Sequence, residues 1–136
     1  MTTRCERQRA AYDELKLVLT GGVYGIDFIL VEGIRDVDAL RSLGVTTPID
    51  VFSHVGHVEH DIAIHISEKT QCVLILTDFD ETGIGLAKRI TALLVAEGVR
   101  VQIDLRRKIG QLMGILGLRT IESLDDWVEK YEYEAR

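Results

Sequence analysis

Cys72-Val73-Leu74-Ile75-Leu76-Thr77-Asp78-Phe79-Asp80 begins as an unbroken apolar run and ends on two carboxylates. The run has strand length and no polar alternation, the pattern of a strand covered on both faces. Phe28-Ile29-Leu30-Val31 repeats the pattern and ends on Glu32-Gly33. Apolar residues at helical spacing follow each run: Ile34, Val37, Leu40 and Leu43 up to Gly44, then Leu86, Ala87, Ile90, Leu93 and Leu94 from Gly83 up to Gly98. Ile49 to Ser53 and Val99 to Ile103 read as two shorter strands, and Val58 to Glu68 as a helix. Apolar strands separated by helices need a sheet with both faces covered. The predicted class is α/β, a Rossmann-like arrangement of about four parallel strands with helices on both faces.

Outward from this core, spanning about residues 26–104, apolar positions at Ala11, Leu15, Val18 and Leu19 predict an N-terminal helix over 4–20, ending at Gly21-Gly22. Residues 105–136 read as a helical tail. It holds one helix from Leu105 to Leu116 and another from Leu124, where Ser123 and Asp126 match a capping box. A chain of 136 residues without repeats or linkers reads as one domain over 1–136. No apolar run approaches the roughly 18 residues of a membrane span. Residues 1–7 lack the apolar segment of a secretory signal, so a cytoplasmic protein without membrane contact is expected. Cys5 and Cys72, in unlike contexts, read as free thiols. A net charge of -6 excludes coating of nucleic acid by an overall basic surface, yet leaves room for carboxylates that engage phosphate through a cation.

The sharpest acidic signals fall at the ends of the two most apolar strands, where open parallel sheets bind ligands. Strand alternation predicts that Asp78 and Asp80 face one way while Phe79 turns toward packing. With the Glu32 strand alongside, three carboxylates converge, and their repulsion calls for a proton or a hard cation. Oxygen ligands suit Mg2+, with Mn2+ as a substitute. Gly33 permits a tight turn after Glu32, and Gly83 and Gly85 let backbone come close at a helix N-terminus that favours a phosphate. Asp36 fits the first turn of its helix on dipole grounds, or orients the site.

Val31-Glu32-Gly33-Ile34-Arg35-Asp36 together with Leu76-Thr77-Asp78-Phe79-Asp80-Glu81-Thr82-Gly83 resembles the Glu-Gly and Asp-x-Asp-x-x-Gly motifs of Toprim domains, over roughly residues 28–104. Such domains occur in bacterial primases, type IA and type II topoisomerases, small maturases of 5S ribosomal RNA and short primase-like proteins of archaea. The chain's length is most similar to the last two. The resemblance implies Glu32 as general acid or base, and Asp78 and Asp80 as magnesium ligands. Type IA topoisomerases carry a glutamate where this chain has Thr82, and no tyrosine-bearing cleavage domain is evident, so topoisomerase activity is not expected.

Other readings compete. Acids and glycine can simply end a strand and cap a helix. Asp78-Phe79-Asp80-Glu81-Thr82 also resembles the Asp-x-Asp-x-Thr signature of haloacid-dehalogenase phosphatases, with Asp78 as nucleophile, although that family needs several further strand-helix units downstream. His54, His57, His60 and His65 invite a zinc assignment, against a solvated helix start. Arg106-Arg107-Lys108, with Arg119, offers nucleic-acid phosphate contacts or a solvated helix face. Trp127, Tyr131 and Tyr133 suit packing or a protein partner of the C-terminal helix. The function expected is a magnesium-dependent phosphodiester enzyme acting on RNA or DNA, nuclease-like or primase-like. The alternative is a non-catalytic nucleic-acid-binding module of a ribonucleoprotein or replication complex.

Overall fold

The computed structural model describes residues 2–52 and 59–133. In chain order the elements are α1 (Arg4–Thr20), β1 (Ile29–Val31), α2 (Ile34–Leu43), β2 (Ile49–Val51), α3 (Glu59–Ser67), β3 (Cys72–Ile75), α4 (Glu81–Ala96), β4 (Arg100–Val101), α5 (Ile103–Ile115) and α6 (Leu124–Val128). A π-helical turn, Glu129–Tyr133, continues α6. The four strands form one parallel sheet in the order β2-β1-β3-β4, giving the expected α/β, Rossmann-like architecture.

Alternation along the strands divides the core. Ile29, Val31, Leu74 and Leu76 point to one face, where they meet Leu15 of α1, Leu40 of α2, Ile109 and Met113 of α5, and Leu124 of α6. Phe28, Leu30, Val73 and Ile75 point to the other, against Ile62 and Ile66 of α3 and Leu86, Ile90 and Leu94 of α4. A fully buried Leu or Ile contributes about 1.5–3 kcal/mol, which is why short strands with both faces covered suffice. Among the described residues no helix is long and apolar enough to cross a membrane. Both cysteines are free.

Several boundaries differ from expectation. β4 stops at Val101, because Ile103 already begins α5 and is half exposed at 50%. β2 ends at Val51; the expected strand residue Ser53, and Val58 at the expected start of α3, lie outside the described residues. α4 starts at Glu81, two residues before Gly83, since Asp80 caps it. The Ser123 capping box does not form. Ser123 has helical backbone angles and no side-chain cap bond, its hydroxyl pairing with that of Thr120 instead.

Sheet order fixes where a ligand belongs. From β1 the chain moves outward to β2 through α2, whereas from β3 it moves the opposite way to β4 through α4. The switch point therefore lies between β1 and β3, and the crevice beyond their carboxyl ends is the natural site.

Candidate metal centre

Leu30 pairs with Ile75 across the switch point, so continuing the register by two residues sets Glu32 beside Thr77 and within reach of Asp78. The Asp78 N–H donates to Glu32 Oε2 at 3.5 Å. Asp36, in the first turn of α2, turns back toward β1, and its Oδ2 accepts from the Gly33 N–H at 3.0 Å. Carboxylate oxygens of Glu32, Asp36 and Asp78 all lie within 4.8 Å of one another.

The site's fourth side comes from the tail. Asp78 Oδ1 accepts from the Ile121 N–H at 2.9 Å, the next amide, Glu122, lies near enough to Asp36 to favour its charged form, and the Phe79 N–H donates to the Arg119 carbonyl at 2.6 Å. Two consecutive backbone amides thus face two of the three carboxylates. Backbone donors leave no side-chain signature, so nothing in the sequence pattern marked this segment.

Electrostatics follow from this crowding. Burial, then the hydrogen bond and like charge of Asp78, push the Glu32 carboxyl from its ordinary 4.5 up to about 7. Asp36, only 7% exposed, is raised by its burial, against the opposing pull of the Gly33 and Glu122 amides. The trio is a hard-oxygen donor set, and two ligands of one Mg2+ at about 2.1 Å each lie at most about 4.2 Å apart. Glu32, Asp36 and Asp78 are the residues that would hold such a cation. The donor chemistry fits magnesium.

Asp80 is not in this group. β3 ends at Ile75, so the chain beyond it is turning into α4 and strand alternation no longer governs Asp78 and Asp80. Asp80 Oδ1 instead accepts from the Gly83 N–H at 2.8 Å and caps α4. Gly83 serves close approach: a Cβ there would lie 2.1 Å from the Asp78 carbonyl oxygen. The Thr77 hydroxyl, fully buried, donates to the Gly83 carbonyl at 2.7 Å and ties the turn to the strand. Gly33 has open space around it and extended backbone, so its role is the exit from β1 rather than steric necessity.

The basic run does not form one strip. Successive helical residues are about 100° apart around the axis, so three in a row diverge. Arg106 points inward: Nη1 donates to the carbonyls of Ile75 and Thr77 at 3.0 and 2.8 Å, and Nη2 to that of Asp78 at 3.1 Å. Its guanidinium also lies 4.4 Å from the Phe79 ring centre. Burial lowers its pKa, opposed by the charges of Glu32 and Asp78. Arg106 therefore clamps the end of β3 rather than reaching outward. Arg107 pairs with Asp104 at 3.2 Å in solvent, Lys108 pairs with Glu14 at 3.0 Å, and Arg119 is exposed.

His54 and His57 lie outside the described residues. His60 is exposed, and His65 Nε2 lies 3.5 Å from Asp50 Oδ2. Among the described residues the acidic trio alone groups three metal-ligating side chains, and neither histidine belongs to it. Trp127 and Tyr131 pack, with rings 5.4 Å apart and Tyr131 against Tyr12 at 4.9 Å, while Tyr133 is 54% exposed. Among the described residues one strand, β4, follows the Asp78 strand, so the downstream sheet of a haloacid-dehalogenase phosphatase is not there.

A solved structure of an Aquifex aeolicus protein matches the fold with a TM-score of 0.64 and 23% identity, covering 82% of this chain and 95% of that one. No family model matches the chain. The UPF0292 protein of Pyrococcus furiosus is 45% identical over 98 residues, which are 72% of this chain and 71% of that protein. The UPF0292 protein of Methanocaldococcus jannaschii is 35% identical over 104 residues, 75% of this chain and 78% of its own length. With identity of this level across more than two thirds of both relatives, the chain belongs to the UPF0292 family.

Proposed function

We propose that this protein is a Toprim-type, magnesium-dependent enzyme that cleaves or transfers phosphodiesters of RNA or DNA in the cytoplasm. The observation that carries the reading is the convergence of Glu32, Asp36 and Asp78 at the switch point, with the Glu32 carboxyl raised to about 7. With no cation beside it, a carboxyl at that value exchanges a proton near neutral pH, the range a general acid or base works in.

Asp78 and Asp36 would hold a cation, Glu32 would either complete that set or move a proton, and Asp80, the cap of α4, would be the carboxylate available to a second cation. Bound magnesium neutralises charge on the phosphate and lowers the pKa of water. The chain's own residues do the rest. The Ile121 amide fixes the Asp78 carboxylate and the Gly33 amide that of Asp36, Arg106 holds the end of β3 in place, and Glu32, where it is not a ligand, takes or gives a proton at its carboxylate.

The test incubates the protein with labelled structured RNA, single-stranded DNA and duplex DNA, with Mg2+, Mn2+ or chelator. Magnesium-dependent turnover that disappears in Asp78→Asn and Glu32→Gln supports the reading. Turnover that persists in both variants, or in chelator, refutes it. Binding without turnover assigns the protein to the non-catalytic alternative.

A further inference from the structure

A cleft of about 680 Å³ opens between α4 and α5 at the β4 edge of the sheet. It exists because β4 is two residues long and the chain enters α5 at once, so no further strand fills the space between the two helices. Ile75 and Val101 form its floor, Ile84 and Ala92 of α4 one wall, Ile103 of α5 the other, and Phe79 the end. The volume falls within the roughly 300–1,000 Å³ of small-ligand sites. Ile84 and Ile103 are 40% and 50% exposed, so this apolar surface faces solvent.

Charge selects the occupant. Lys88, Arg106 and Arg107 line the cleft and no acidic residue does, on a chain of net charge -6. An apolar slot with a cationic rim suits a ligand that pairs an apolar face with anions. Arg106 is committed to the carbonyls of β3, which leaves Lys88 and Arg107 for those anions. Arg107's pairing with Asp104, with the two side chains 67% and 95% exposed, is of the weak surface kind. Phe79 follows Asp78 directly and stacks on Arg106, which also donates to the Asp78 carbonyl, so the end of the cleft adjoins the Asp78 backbone. Gly110 keeps that wall in place, since a Cβ there would lie 2.8 Å from the Phe79 ring.

We infer that this cleft is a nucleobase slot for single-stranded nucleic acid, whose phosphates run past Lys88 and Arg107 toward Glu32, Asp36 and Asp78. The inference rests on the nucleic-acid reading above and adds the strandedness and the seat of the base. Unpaired bases enter an apolar slot without breaking a base pair, whereas a paired base must first be flipped out against its pairing and stacking.

The experiment measures fluorescence anisotropy of labelled single strands of about 12 nucleotides, RNA and DNA, in chelator so that no turnover intervenes. Ala92→Trp fills the slot from an exposed position, and Lys88→Glu with Arg107→Glu reverses the rim; neither change touches the carboxylates. Each is expected to weaken binding by at least about tenfold, and the double reversal to make the salt slope shallower by about 1.4. Asp78→Asn is expected to keep binding while losing cleavage. If the wild type binds single strands but the slot and rim variants bind equally well, the slot is refuted and the catalytic reading stands. Tighter binding of a matched duplex than of either strand also refutes the slot. If the wild type neither binds nor cleaves nucleic acid, both fall.

Discussion

Without metal, raising the pH should weaken the fold through Glu32. Its carboxyl titrates near 7 when folded against an ordinary 4.5, so between those values the folded protein holds a proton that the unfolded chain has lost. Stability falls wherever the native state binds more protons than the unfolded state as pH rises. The contribution is therefore complete below about 4.5 and lost as pH climbs through 7. The full gap corresponds to about 3 kcal/mol at 1.36 kcal/mol per pH unit. Glu32 is half-buried rather than sealed, and solvent screening brings the expected effect to about 1–2 kcal/mol. Asp36, also raised, acts in the same direction, while the Arg106 charge offsets part of the repulsion.

Urea unfolding in chelator, followed by fluorescence of the single tryptophan, Trp127, measures this directly. Glu32→Gln mimics the protonated acid and removes the titration. Between pH 5 and pH 7.5 the wild type should lose about 1–2 kcal/mol more than the variant. Magnesium at about 100 times its dissociation constant should return about 2.7 kcal/mol to the wild type at the higher pH. Parallel pH profiles for wild type and Glu32→Gln would show that the carboxylates are not coupled as described.

Gly83→Ala forces a Cβ to within 2.1 Å of the Asp78 carbonyl oxygen, and should cost about 1–3 kcal/mol or more in urea unfolding. Gly33→Ala, with open space, should stay within about 0.5 kcal/mol by the same assay. Asp80→Ala removes the α4 cap and should lose about 1 kcal/mol, whereas Asp80→Asn, which can still accept from Gly83, should lose a few tenths. Arg106→Ala leaves the carbonyls of Ile75, Thr77 and Asp78 without their donor, and should cost about 3 kcal/mol in urea unfolding.

The parts of this molecule that were legible in sequence are those written in side-chain pattern. The two apolar runs named β1 and β3, their adjoining helices named the parallel sheet, and Glu32 with Asp78 fell at its switch point. Asp80 stands apart from the trio because the apolar run continues to Leu76 while the paired strand stops at Ile75, so the residues beyond it belong to a helix start. Asp36 was ambiguous because an acid in a first helical turn is favourable by itself. Its signal was the spacing from Glu32: four residues on, with Gly33 between, its side chain folds back over the turn. Arg106 looked like its neighbours in sequence, and only the placement of α5, starting at Ile103, turned it inward. The amides of Ile121 and Glu122 depend on where the tail docks, which backbone atoms common to every residue cannot announce.

In the proposed reading Glu32, Asp36 and Asp78 would form the cation site, while Asp80 in the resting protein caps α4. Mn2+ binding by electron paramagnetic resonance, on the wild type and on Asp36→Asn, Asp78→Asn and Asp80→Asn, tests it most directly. Losing one charged ligand is expected to weaken Mn2+ by at least about tenfold in the first two variants, with Asp80→Asn close to wild type for the first ion. Wild-type affinity in Asp36→Asn together with loss of binding in Asp80→Asn would contradict the account.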